Sequence, residues 1–183
     1  MTRRPLLCQT CQSAALHAPQ RLAAFENCQP WEIRALGHFN GPLRTLVLKL
    51  KHSRDGRVGE WLGRQLARQA ASLPRPQAIT WVPGQRLNRW RRGGDPAAHI
   101  AKGLADALNL PIQSCLHPNW SWHGRQRSRA QRKQAQLTVN PTPALRVWLV
   151  DDVFVTGATL AGATEALETA GVQVEQHFAL CLG

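Results

Sequence analysis

No apolar run in this 183-residue chain approaches the roughly 18 residues that a membrane-spanning helix needs, so membrane insertion is not expected. A leader is not expected either. The start, MTRRPLLCQTCQS, carries arginines but only Pro5 to Leu7 as an apolar core, too short for a signal peptide. The expectation is a cytoplasmic protein. Acid is scarce: 11 Asp+Glu stand against 23 Lys+Arg, a formal net charge of +12 at pH 7. That imbalance attracts polyanions (nucleic acid, nucleotides or pyrophosphate-bearing metabolites) without choosing among them. Cysteine is sparse and odd in number, five in all. Cys8 and Cys11 form a CxxC pair, a spacing that in a cytosolic chain favours metal or redox chemistry over a disulfide framework. No internal repeat is found. What the chain does have is core material, 43% hydrophobic residues with seven Trp, which argues against wholesale disorder.

The length suits one α/β-sized domain with a small appendage. Residues 1–36 read as loop-like, a degenerate zinc-ribbon-like segment holding Cys8, Cys11 and Cys28. Three thiolates are three ligands of a tetrahedral zinc site, with His17 and His38 near in sequence for the fourth; three structural thiols without metal are the alternative. Residues 37–183 form the main domain. Leu43, Leu46, Val47 and Leu50 repeat with helical period, as do Leu62, Leu66, Ala70 and Leu73. Ala78 to Val82 is a short buried strand. Asp95-Pro96 pairs an N-cap residue with Pro at the first helical position, ahead of Ile100, Leu104 and Leu108 on one face. Arg146 to Val150 reads as a buried strand, Leu160, Ala163, Leu167 and Ala170 as the next helix with Gly171 as its cap, and 172–183 as a last strand. This alternation predicts an α/β fold with a mainly parallel sheet flanked by helices. Cys115 and Cys181, in apolar surroundings, read as core.

Chemistry concentrates in Val147-Trp-Leu-Val-Asp-Asp-Val-Phe-Val-Thr-Gly-Ala-Thr-Leu-Ala-Gly162. A strand, a short loop and a helix in that order put the loop at the carboxyl edge of a parallel sheet, where open α/β sheets bind ligands. Backbone N–H groups of Thr156, Gly157, Ala158 and Thr159 at a helix start form an anion cradle suited to a phosphate. Asp151 and Asp152 lie within reach of the sugar carrying that phosphate, and carboxylates hold vicinal hydroxyls directly or through Mg2+. The bland alternative is a strand ending in acids before an ordinary helix cap. Elsewhere, Arg86, Arg89, Arg91 and Arg92 suit pyrophosphate oxygens, and Trp81 and Trp90 among them suit stacking on bases of single-stranded DNA or RNA. A second basic cluster spans Arg125, Arg127, Arg129, Arg132 and Lys133. Lys49 and Lys51 end a helix and can reach a phosphate or base; solvated surfaces are the alternative for all of these.

The string Leu149-Val-Asp-Asp-Val-Phe-Val-Thr-Gly-Ala-Thr159 resembles the signature of type I phosphoribosyltransferases, which bind 5-phosphoribosyl 1-pyrophosphate (PRPP). With the N-terminal cysteines, Phe39-Asn-Gly-Pro-Leu-Arg-Thr-Leu-Val-Leu-Lys-Leu-Lys51, Val82-Pro83 and Arg91-Arg-Gly, most of the chain is similar to the ComF family. These are phosphoribosyltransferase-like proteins associated with DNA uptake in competence and with gluconate utilisation. The resemblance implies a parallel α/β sheet with a smaller hood. It also implies Asp151 and Asp152 on the ribose hydroxyls, Val155 to Thr159 around the 5-phosphate, and Mg2+ accompanying PRPP. Phe154 is bulkier than the usual aliphatic residue, and Cys28 is followed by Trp31 where relatives complete another CxxC. Arg92-Gly-Gly-Asp-Pro96 replaces Arg-Gly-Phe-Asn-Gln, and Trp122-His-Gly-Arg-Gln126 replaces Arg-x-Thr-x-x-Gln. These middle motifs would face pyrophosphate and the acceptor base. Three functions stay open: a transferase exchanging pyrophosphate for a base at the anomeric carbon (pentosyl transfer), a non-catalytic accessory of the competence machinery handling single-stranded DNA, or a regulator sensing PRPP.

Overall fold

The structure, a computed structural model, describes residues 8–14, 20–23, 32–52, 56–84, 94–118, 137–140 and 145–183. Its elements in chain order are α1 (Gln9–Ala14), β1 (Gln20–Ala23), β2 (Glu32–His38), α2 (Gly41–His52), α3 (Arg57–Leu66, prolonged by a 3-10 turn at Ala67–Gln69), β3 (Ala78–Trp81), α4 (Pro96–Leu108), β4 (Leu116–Pro118), β5 (Leu137–Val139), β6 (Arg146–Phe154), α5 (Ala158–Thr169) and β7 (Gln173–Leu182). Five strands form one sheet in the order β1-β2-β7-β6-β3. The β2–β7, β7–β6 and β6–β3 pairs are parallel and only β1 runs antiparallel, on β2. β4 and β5 make a separate antiparallel pair. The expected α/β class, a parallel sheet flanked by helices, is the one observed.

Two cores follow from the period of two along the strands. Trp148 and Val150 of β6 face α2, α3 and α4, whose Leu43, Leu46, Val47, Leu50, Leu62, Leu66, Ile100 and Leu104 complete that side. Val147 and Leu149 face Leu160, Ala163 and Leu167 of α5. Trp148 and Phe178 stack tilted at 41° with centroids 5.2 Å apart. Helices α3 and α4 touch backbone to backbone, because Gly63 lies against the Ile100 carbonyl and Gly103 against the Glu60 carbonyl, where a Cβ on either would overlap. All four residues of the predicted α2 stripe are buried.

Two strands depart from expectation. β2 crosses the anticipated 36/37 boundary and lies inside the sheet between β1 and β7, so residues 32–36 belong to the sheet rather than to a loop-like appendage. Arg34 interrupts its apolar pattern, yet this side chain is buried. Its guanidinium donates to the Gln69 carbonyl (2.9 Å) and pairs with Glu32 (3.1 Å), while Gln69 Nε2 returns a bond to the Ala35 carbonyl (2.8 Å). β6 also runs on through Asp151 and Asp152 to Phe154, because β7 continues beside it to Leu182. Cys28 and both arginine clusters, including Arg86, Arg89, Arg91 and Arg92, lie outside the described residues.

Candidate functional site

The last third of β6 carries the two carboxylates. Neighbouring residues of a regular strand point to opposite faces, but the alternation slips by one place here. Val150 and then Val153 pack on the α2–α4 side, and Leu149 and then Phe154 on the α5 side. The two carboxyl groups are close enough to act on each other. Asp151 is buried, 8% exposed, and its Oδ1 accepts the Asp152 N–H at 2.7 Å. Burial, then the Asp152 charge, push the Asp151 carboxyl up to about 7, with the Asp152 N–H and Lys51 acting in the opposite direction.

Lys51 reaches this edge from the last turn of α2, its Nζ 3.1 Å from Asp152 Oδ2. Lys49 is exposed; two residues along a helix are about 200° apart, so the pair of lysines divides between solvent and site. Cys181 of β7 lies beneath, fully buried, its thiol pushed up to about 12 by burial and by the Asp152 charge. It is an inert core thiol, as is buried Cys115, also raised by burial.

After Phe154 the chain turns through Val155, Thr156 and Gly157 into α5. Val155, Thr156, Ala158 and Thr159 are exposed. Gly157 is the N-cap with φ +72, a left-handed conformation that L side chains rarely adopt. An added Cβ would also lie 3.0 Å from the Phe154 ring, which makes bulky Phe154 the floor on which the turn rests. The Ala161 N–H closes the first helical turn on the Gly157 carbonyl (2.8 Å). As a glycine, Gly157 brings no side-chain cap to the first-turn amides of α5.

Asp95 is at the N-cap of α4 as expected, but its side chain turns elsewhere: Gly84 N–H donates to Asp95 Oδ2 at 3.1 Å. That bond ties Gly84, at the root of the chain leaving β3, to the start of α4. Val82 N–H donates to the Val150 carbonyl (2.9 Å), so this root leaves β3 beside the acidic end of β6. Sequence reading missed the clasp, because nothing local links Gly84 to Asp95. It also assigned nothing to buried His177, whose Nε2 is 2.9 Å from Thr164 Oγ1 of α5 and whose imidazole is lowered to about 4 by burial.

The structure thus unites Asp151, Asp152, Lys51 and the Val155–Thr159 turn at one sheet edge. Cys8 is exposed ahead of α1 and Cys11 lies within it. Among the described residues no group of three or more His, Cys, Asp or Glu side chains is arranged to hold a metal ion. No helix among them is long and apolar enough to cross a membrane.

No family model matches the chain. It is 27% identical over 197 aligned positions to DNA utilization protein YhgH of Escherichia coli (strain K12), spanning 96% of this chain and 83% of that one. It is 28% identical over 160 positions to Competence protein F of Haemophilus influenzae, spanning 79% and 70% respectively. Among solved structures it resembles the glutamine phosphoribosylpyrophosphate amidotransferase of B. subtilis complexed with ADP and GMP, with 28% identity over 69% of this chain and a TM-score of 0.47; the match spans 26% of that enzyme. In sequence, then, the chain is similar to DNA utilization protein YhgH and to Competence protein F over most of its length.

Proposed function

We propose that the protein binds a 5-phosphoribosyl group, as PRPP or as a nucleotide, at the carboxyl edge of β6. The observation carrying this reading is the acid pair on a parallel strand running directly into a left-handed glycine that opens a helix. Asp151 and Asp152 accept hydrogen bonds from the vicinal ribose hydroxyls, and the amides from Val155 to Thr159 receive the 5-phosphate. By their chemistry, Arg86, Arg89, Arg91 and Arg92 are suited to a pyrophosphate or a second phosphate.

The carboxylates fit Mg2+ only in part. One oxygen of Asp151 takes a backbone N–H and one of Asp152 takes Lys51, so most of the octahedral shell would come from phosphate oxygens and water. When bound with PRPP, Mg2+ would neutralise the leaving pyrophosphate. The protein's own part in pentosyl transfer would be to fix the ribose and to offset positive charge developing on the sugar with Asp151 and Asp152. No general base is assigned.

A second reading, favoured by the names of the relatives and by the net charge of +12, is an accessory of DNA uptake or utilisation. It would hold the end of a single strand in the same pocket without turnover, in the cytoplasm. Calorimetric titration with PRPP and with a 5′-phosphorylated oligonucleotide, with and without Mg2+, tests the shared premise. Asp152→Asn should weaken binding roughly 10- to 100-fold, the worth of a hydrogen bond to a charged acceptor. Unchanged affinity in that variant would remove the assignment. Pyrophosphate release across a panel of bases then favours the transferase; salt-sensitive strand binding without release favours the accessory.

A further inference from the structure

Two adjacent carboxylates in a half-buried edge repel each other, and some cation must offset them. In a site built for a metal the two oxygen sets would stand open to it. Here a protein cation is already in place. Lys51 Nζ lies 3.1 Å from Asp152 Oδ2, with the two side chains 27% and 22% exposed. The same ammonium is close enough to act on Asp151 and on the Cys181 thiol, so it sits over the ends of β6 and β7 together. Its position is fixed from below: Leu43, Leu46, Val47 and Leu50 bury one face of α2 against the sheet, and α2 contains no acidic residue that would draw the ammonium back along its own helix.

We propose that Lys51 is the resident cation of the carboxylate pair, taking the place at Asp152 that a divalent ion would otherwise fill, so that metal enters this site only on the phosphate oxygens of a ligand. The inference rests on reading Asp151 and Asp152 as the ligand-holding pair. Its physical basis is competition. A tethered ammonium supplies a strongly hydrated point charge with three donors at high effective concentration, whereas Mg2+ dehydrates reluctantly and prefers several oxygen ligands. Lys51 occupies one Asp152 oxygen and leaves the carboxylate an acceptor for a sugar hydroxyl. It follows that ribose recognition needs no metal, and that dependence on metal appears only with ligands carrying a pyrophosphate.

The test is a titration of the full chain with Mn2+ alone, followed by electron paramagnetic resonance. The wild-type protein should show no saturable uptake in the millimolar range, while Lys51→Met should bind Mn2+ at least about tenfold more tightly, and adding Asp152→Asn to that variant should abolish the gain. Lys51→Gln, a polar replacement checked for folding by circular dichroism, serves if the methionine variant does not fold. Equal Mn2+ affinity in wild type and both Lys51 variants overturns the proposal, as does uptake that survives Asp152→Asn. A second arm uses ribose 5-phosphate in the presence of a chelator. The wild type should bind, and Lys51→Met should bind only when Mg2+ is restored. Failure of the wild type to bind ribose 5-phosphate would sink the phosphoribosyl reading, while the Mn2+ result would still decide the role of Lys51.

Discussion

Replacing Asp151 with Asn should change how the stability of this protein depends on pH, and the size of the effect can be worked from two buried groups that oppose each other. Asp151 has its carboxyl raised from 3.8 to about 7, and His177 has its imidazole lowered from 6.5 to about 4. A raised acid contributes stability that is fully present below its unfolded value and is lost as pH climbs through the folded one. For Asp151 the loss runs from pH 3.8 to about 7. A lowered base behaves oppositely: the His177 contribution is present above pH 6.5 and disappears as pH falls toward about 4. Each slope is about 1.4 kcal/mol per pH unit, and across the shared window the two cancel. The amide introduced by Asp151→Asn keeps a side-chain oxygen to accept the Asp152 N–H and removes the titration. The variant should therefore match wild type near pH 4 and exceed it progressively above, by up to about 4 kcal/mol near neutrality. Its own stability should rise between pH 4 and 6.5, with the His177 slope no longer opposed. Guanidinium unfolding of both proteins from pH 4 to 8, followed by tryptophan fluorescence, measures the difference. Parallel stability profiles for wild type and Asp151→Asn would refute the reasoning, because they would mean that Asp151 titrates alike in the folded and unfolded chains.

Gly157→Ala places a Cβ at φ +72 and against the Phe154 ring; it should cost about 1–2 kcal/mol in chemical unfolding and weaken binding of inorganic phosphate or PRPP. Unaltered stability and affinity would remove the turn from the site. For the cysteines we propose a structural Zn2+ on Cys8, Cys11 and Cys28, so that elemental analysis of intact protein purified without added metal should find stoichiometric zinc, lost in Cys8→Ser. Zinc-free, fully folded protein would leave these residues as simple thiols.

Much of the site was legible because its signals are local. The order of strand, acids, small-residue turn and helix in 147–162 needs only neighbouring residues, and the buried leucines of α2 needed only their period. β2 was hidden for the opposite reason. Arg34 in the middle of Glu32–His38 looks like a surface residue until Gln69, from the end of the α3 region, supplies a carbonyl to it and an amide to Ala35. Asp95 was read correctly as a helix start, yet its side chain serves Gly84, eleven residues away.

The sequence alone determined which donors and acceptors Asp151–Asp152 and Val155 to Thr159 carry, since residue type and spacing set them. Tertiary structure decided how those groups behave. It selected Lys51 over Lys49, because only the docking of α2 on the sheet sets which face of that helix meets β6. It set two consecutive carboxylates close enough to act on each other toward the carboxyl end of β6. It also raised Asp151 toward neutrality, because burial is a property of the packed protein and cannot be read from two acids in a row.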